Sequence, residues 1–157
     1  MAKPNAVMGL WTRLSGLPGG KWLFSRLICF KAPYFSSVRP TFVALRPGYC
    51  EVTIPKRRAV TNHLGTVHAI AMCNLAELAA GTMTEVSIPA SMRWLPKGMT
   101  VEYVKKAQGD IEATATVGDI AEGPGRDVPV VVEMKDGAGE VVCRATITMW
   151  VAPRKRD

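Results

Sequence analysis

The sequence predicts an α+β fold in which an antiparallel sheet wraps around one buried helix. Three observations carry that reading. The run from Thr66 to Ala80 is rich in Ala, Leu and Met and contains no Pro, so it favours helix. It is apolar nearly all round, which places it inside the domain rather than on the surface. A pair of short strand-like segments, the second alternating, precedes it and a series of strand-like segments follows, the last three reading as an antiparallel meander. That order, in one chain of single-domain length, suggests a sheet closing over a helix.

The elements follow in turn. Val7, Met8, Leu10, Trp11 and Leu14 fall at near-helical spacing within residues 6 to 17, and Pro18-Gly19-Gly20 breaks the pattern. Trp22, Leu23, Arg26, Leu27 and Phe30 predict a second short helix over 21 to 30. This basic amphipathic pair can pack on the domain, cover a pocket or lie on a membrane. Thr41 to Leu45 and Tyr49 to Ile54 predict two strands joined by Arg46-Pro47-Gly48. In the second, Cys50, Val52 and Ile54 alternate with polar neighbours. The central helix is expected over 66 to 82, with Gly81 at its C-terminal end. Two strands, Met92 to Trp94 and Thr100 to Ala107, then flank Pro96-Lys97-Gly98. Asp110 reads as a turn residue at the start of a strand to Val117. Val128 to Met134 follows, with Pro129 suggesting an edge position. Lys135 to Gly139 forms a hairpin loop and Glu140 to Val151 the last strand. No internal repeat is visible. Residues 1–38 read as a helical extension and 39–157 as the main domain.

Composition narrows the function. At 48% hydrophobic and 21% charged residues the chain is globular. No apolar run reaches the length of a membrane span. The apolar stretch from Met1 to Phe30 is broken by Arg13, Pro18-Gly19-Gly20, Lys21 and Arg26, unlike a secretory leader. Cys29, Cys50, Cys73 and Cys143 are widely spaced, without zinc-site spacing, and read as reduced thiols of a cytoplasmic protein. The formal net charge is +7, with basic residues dense in the first 60 positions and in Arg154-Lys155-Arg156. That charge suits solubility, an anionic ligand or an anionic membrane surface. Aromatic residues do not interleave with the basic ones, which argues against nucleic acid.

Within the central helix Glu77 stands out, because an ionised carboxylate in an apolar helix is costly unless solvated or paired. The alternative is a polar stripe shared with Asn74. Glu85 and Glu102 lie near an element end or on an alternating strand. His68 and Ala69 head the helix, where unpaired N–H groups bind anions or a developing oxyanion. Nine residues separate His68 from Glu77, about 13 Å of helical rise. One chain therefore cannot bring both to the same substrate atom, whereas a two-fold dimer can. His63 lies in the preceding loop, and two histidines five apart form no metal site. Met72, Met83, Met92 and Met99 line either the core or a tunnel.

The string Asn62-x-x-Gly65-Thr66-x-His68, with Leu75 and Glu77 following, resembles the signature of hot-dog-fold acyl-CoA thioesterases, closest to the phenylacetate-pathway class. The similarity covers about residues 40 to 152, and the extra N-terminal helices resemble an uncharacterised bacterial branch. The resemblance implies a cytoplasmic homodimer or tetramer that hydrolyses an acyl-CoA or acyl-carrier-protein thioester without a cofactor or metal. Glu77 would be general base or nucleophile. The Ala69 N–H would polarise the carbonyl, Asn62 would orient water or carbonyl, and His68 would hold the loop or bond near the thioester. His63, Gly65, Thr66 and Ile70 would border the substrate, and basic side chains would meet the CoA phosphates. The family's Gly-Gly after the His is Ala69-Ile70 here, which narrows the approach to the backbone. A non-catalytic acyl-CoA binder is therefore the alternative.

Overall fold

The computed structural model describes residues 5–155, so Arg156 of the basic tail lies outside the described residues. Helices α1 (Ala6–Leu14) and α2 (Gly20–Lys31) come first, followed by a short turn of helix over Pro33–Val38. Strands β1 (Thr41–Arg46) and β2 (Tyr49–Ile54) precede the central helix α3 (Ala69–Ser87). Strands β3 (Met92–Tyr103), β4 (Ile111–Thr116), β5 (Arg126–Lys135) and β6 (Val141–Pro153) complete the chain. The six strands form one sheet in the order β1-β2-β4-β5-β6-β3, and every neighbouring pair is antiparallel. The sheet wraps around α3, the arrangement that the resemblance implies.

Period and composition explain the core. The inward residues Ile111, Ala113 and Ala115 of β4, Val130, Val132 and Met134 of β5, and Cys143, Ala145, Ile147 and Met149 of β6 are all buried. They face a helix whose own buried residues include Met72, Leu75, Ala76, Ala79, Ala80 and Met83. Small side chains on both surfaces bring helix and sheet close. Met72, Met83 and Met92 belong to this core, while Met99 is exposed on β3.

α1 and the Pro33–Val38 turn cover part of the side of α3 that the sheet leaves open, and α2 packs on β1. Trp11 of α1, Phe24 of α2 and Phe42 of β1 form a chain of edge-to-face rings, with centroids 5.0 and 5.1 Å apart. The buried Ser25 hydroxyl donates to the Lys21 carbonyl at 2.7 Å and accepts the Phe42 N–H at 2.9 Å, tying α2 to β1. Asn5 caps α1 by accepting the Val7 and Met8 N–H groups. Its Nδ2 donates to the carbonyl and carboxylate of Glu85, fastening α1 to the end of α3.

Four expectations need correction or refinement. The central helix runs over Ala69–Ser87 rather than 66 to 82. Gly81 is interior, and a Cβ there would lie 2.9 Å from the Trp94 ring, so the glycine admits an indole instead of ending the helix. The segments around Pro96-Lys97-Gly98 form one continuous strand, β3, that ends at Tyr103 with a register shift between Pro96 and Gly98. β3 is an edge strand, where the missing N–H of Pro96 is tolerated. Pro129 lies in an interior strand, yet β4 pairs with β5 only from Val131 to Lys135, so at Pro129 the β4-facing side of β5 is open.

The interior glycine gives a test of this packing. Gly81→Val is expected to cost about 1–3 kcal/mol of unfolding free energy by urea denaturation, through overpacking against Trp94. In a Trp94→Leu background the same change should cost markedly less. An equal cost in both backgrounds would place the strain elsewhere.

Candidate active site

The loop before α3 is built by Asn62. Its Oδ1 accepts the Leu64 and Thr66 N–H groups at 3.0 and 3.2 Å and the Thr66 hydroxyl at 3.2 Å, and its Nδ2 lies 2.9 Å from the same hydroxyl. The backbone adds Asn62 N–H to Thr66 carbonyl and Gly65 N–H to Asn62 carbonyl. Gly65 turns the loop with φ of +72°, where a side chain is strained. The buried Thr66 and the Thr61–Val67 bridge then aim the chain into the helix. Asn62 is thus the loop's organising side chain, with one Nδ2 hydrogen left over. Leu64 and His63 are exposed at the loop tip.

His68 is the N-cap of α3. Its Nδ1 accepts the Ile70 N–H at 3.0 Å, which requires a bare Nδ1 and places the imidazole proton on Nε2, facing away from the helix. Among the described residues nothing accepts the Ala69 N–H. A helix N-terminus with one donor capped and the adjacent donor free is suited to a carbonyl oxygen acquiring charge.

From this end a strip of α3 stays uncovered by sheet or N-terminal helices. Ile70 is 53% exposed, Cys73 and Asn74 are half-buried, and Glu77 is exposed. The spacing i, i+3, i+4, i+7 puts all four on one face. Glu77 makes no hydrogen bond or ion pair to a described residue. Its solvation explains how a carboxylate sits on so apolar a helix. Beside the strip runs the edge strand β3, where Cys73 Sγ and Tyr103 Oη lie 3.3 Å apart. That contact, helped by burial, pushes the Tyr103 hydroxyl up to about 12, and burial pushes the neighbouring Cys143 thiol up to about 11. Both are neutral at ordinary pH, leaving Glu77 as the carboxylate of the uncovered strip.

Beyond Glu77 the strip enters a cleft of about 380 Å³ between α3 and the N-terminal helices. Val7, Ile28, Ala32 and Phe35 form one wall and Leu78, Gly81 and Trp94 the other, with Lys31 also lining it. The Trp94 Nε1–H donates to Glu85 Oε2 at 2.7 Å, which fixes the indole over Gly81. Trp94, Glu85 and Lys31 carry no sequence signal of a site. A glycine inside a run of strong helix formers was the available signal of close approach. Asn62, Gly65, Thr66, His68, Ala69 and Ile70 therefore gather at one end of α3, and Glu77 stands about 13 Å along the same helix. Among the described residues no three His, Cys, Asp or Glu side chains gather as a metal-ligand set.

Residues 20–151 match a family described as a domain of unknown function, DUF4442. No curated protein matches the chain significantly. A crystal structure solved as a genomics target is 50% identical, with a TM-score of 0.81 over 94% of this chain and 98% of that one. A Pseudomonas aeruginosa protein of unknown function, described as a probable thioesterase, is 24% identical with a TM-score of 0.76, covering 88% of this chain and 97% of that one. A Haemophilus influenzae thioesterase is 16% identical with a TM-score of 0.70, covering 81% and 87%. The last two likenesses establish the hot-dog fold.

Asn62 supplies a test of the loop. Asn62→Ala should lower stability by about 1–3 kcal/mol, since the Thr66 groups lose a partner within the fold. Asn62→Asp keeps the accepting oxygens and should retain most of it. Thermal unfolding of the two variants distinguishes them, and equal loss would contradict the loop-organising role.

Proposed function

The chain belongs to the DUF4442 family, and from that footing we propose that it hydrolyses an acyl thioester carried by coenzyme A or an acyl-carrier protein. The observation that carries the reading is the solvated, unpaired Glu77 on the open strip of α3, at the mouth of an apolar cleft. Solved hot-dog proteins described as thioesterases agree with it. The acyl chain lies in the cleft toward Trp94, with its carbonyl beside Glu77. The Glu77 carboxylate removes a proton from water as that water attacks the carbonyl carbon, or attacks the carbon itself to give an anhydride that water then opens. The carbonyl oxygen takes the electron pair and is met by the Ala69 N–H. Collapse of the tetrahedral centre expels the thiolate, which takes up a proton.

The two halves of this site come from two chains. β3 is an edge strand with an open row of backbone groups and exposed Met99 and Tyr103 beside the α3 strip. Pairing of two β3 edges about a two-fold axis covers these side chains and brings the helix start of one copy toward Glu77 of the other. His68 holds the helix start, Asn62 shapes the loop and offers its remaining N–H to water or carbonyl, and His63, Gly65, Thr66 and Ile70 border the thioester.

A second reading is a non-catalytic acyl-CoA binder on the same dimer. Ile70 favours it, because its exposed side chain crowds the helix start where the resembling enzymes have glycine. Hydrolysis across an acyl-CoA panel, followed with a thiol-reactive dye, separates the two. Glu77→Gln should lower kcat/KM by at least about 100-fold. Equal rates for parent and variant would sink the mechanism, and tight binding without turnover by the parent would establish the binder.

A further inference from the structure

The outer face of α2 serves neither the core nor the cleft. Phe24, Ser25 and Cys29 point inward and Ile28 faces the cleft. On the other side Leu23, Leu27 and Phe30 form a stripe at i, i+4 and i+7, with Phe30 87% exposed. Trp22 is 60% exposed, and Tyr34 of the following turn is 65% exposed. So many large apolar side chains on two turns of helix exceed the scattered exposure of an ordinary surface.

The chain segment that carries this ridge has charge of one sign. Residues 1–50 contain Lys3, Arg13, Lys21, Arg26, Lys31, Arg39 and Arg46 and not one Asp or Glu. Among the described residues, the ion pairs all lie between positions 97 and 144. Lys21 and Arg26 donate to the carbonyls of Val43 and Pro40, which leaves their charge uncompensated. The side chains of Lys31 and Arg39 are exposed and make no hydrogen bond to a described residue. The Pro33–Val38 turn packs beside Arg58–Val60, and Arg57 donates to the Ser37 carbonyl, so the Lys56-Arg57-Arg58 run joins the same surface.

We propose that this face of α2 docks the protein on an anionic lipid surface. Leu23, Leu27 and Phe30 enter the headgroup layer, Trp22 and Tyr34 sit at its border, and Lys31 and Arg39 meet the lipid charge. The acid-free segment that carries the ridge selects this occupant. Two copies of the ridge placed face to face would bring uncompensated positive charge together. A protein partner would need a groove shaped for five splayed side chains, whereas a bilayer receives them without shape matching.

The full chain is tested by co-sedimentation with phosphatidylcholine vesicles, alone and with one third phosphatidylglycerol. Binding is expected only to the anionic vesicles, weakening as salt is raised. Trp22 emission should shift to the blue on binding, and Trp22→Phe should remove that shift. A Leu27→Ser/Phe30→Ser variant should bind at least about tenfold more weakly, with unchanged circular dichroism and thermal midpoint. Equal binding to both vesicle types, or equal binding by the folded variant, overturns the proposal. So does a fall in the variant's sedimentation mass, which would make the ridge a contact between copies. None of these outcomes depends on thioester hydrolysis.

Discussion

The structure depends on one constraint, the burial of a helix with almost no polar face. α3 carries Met72, Leu75, Ala76, Leu78, Ala79, Ala80 and Met83 on nearly every side, and water is a poor solvent for all of it. A single sheet covers only one side of such a cylinder. Here the six-stranded sheet takes most of it, α1 and the Pro33–Val38 turn pack on part of the remainder, and the Trp11, Phe24 and Phe42 rings anchor α1 and α2 to β1. The Asn5 and Ser25 hydrogen bonds hold that cover at its two contacts, with the end of α3 and with β1. The N-terminal helices are thus part of the solution to the same burial problem.

What the cover leaves open frames the proposed chemistry. The uncovered strip begins at the helix N-terminus, where backbone donors are concentrated, and passes Glu77 before running under the N-terminal helices as a cleft. Polar chemistry at one end and an apolar channel at the other match a molecule with a reactive carbonyl and a hydrocarbon tail. The edge strand β3 borders the strip, so the surface proposed to pair with a second copy is also the surface of the proposed site.

Much of this was legible in the sequence, and the gaps have physical causes. Alternation located β2, β4 and β6 because each has one face on the core. The Asn62 to His68 stretch was legible as a helix entry because it combines a loop-forming Asn, a turning Gly and a capping side chain. Pro96-Lys97-Gly98 looked like a break, because sequence does not reveal that β3 has a free edge on which a proline costs nothing. Gly81 looked like a helix end, because its reason for being glycine is Trp94, thirteen positions away and on another element. Glu77 read either as a costly charge or as part of a polar stripe with Asn74, because which side of an apolar helix stays uncovered is decided by tertiary packing.

The central claim is that Glu77 of one chain works with the helix start of another, and subunit mixing tests it. Ala69→Pro removes one N–H at the first helical position, where proline's φ suits the helix and the extended His68 suits a following proline. Ala69→Pro and Glu77→Gln homodimers should each be inactive in thioester hydrolysis. After equal mixing with subunit exchange, half of the dimers carry one intact site, so activity should return to roughly a quarter of the parent level. No recovery, in a mixture shown by mass to contain hybrid dimers, would contradict a site shared between two chains.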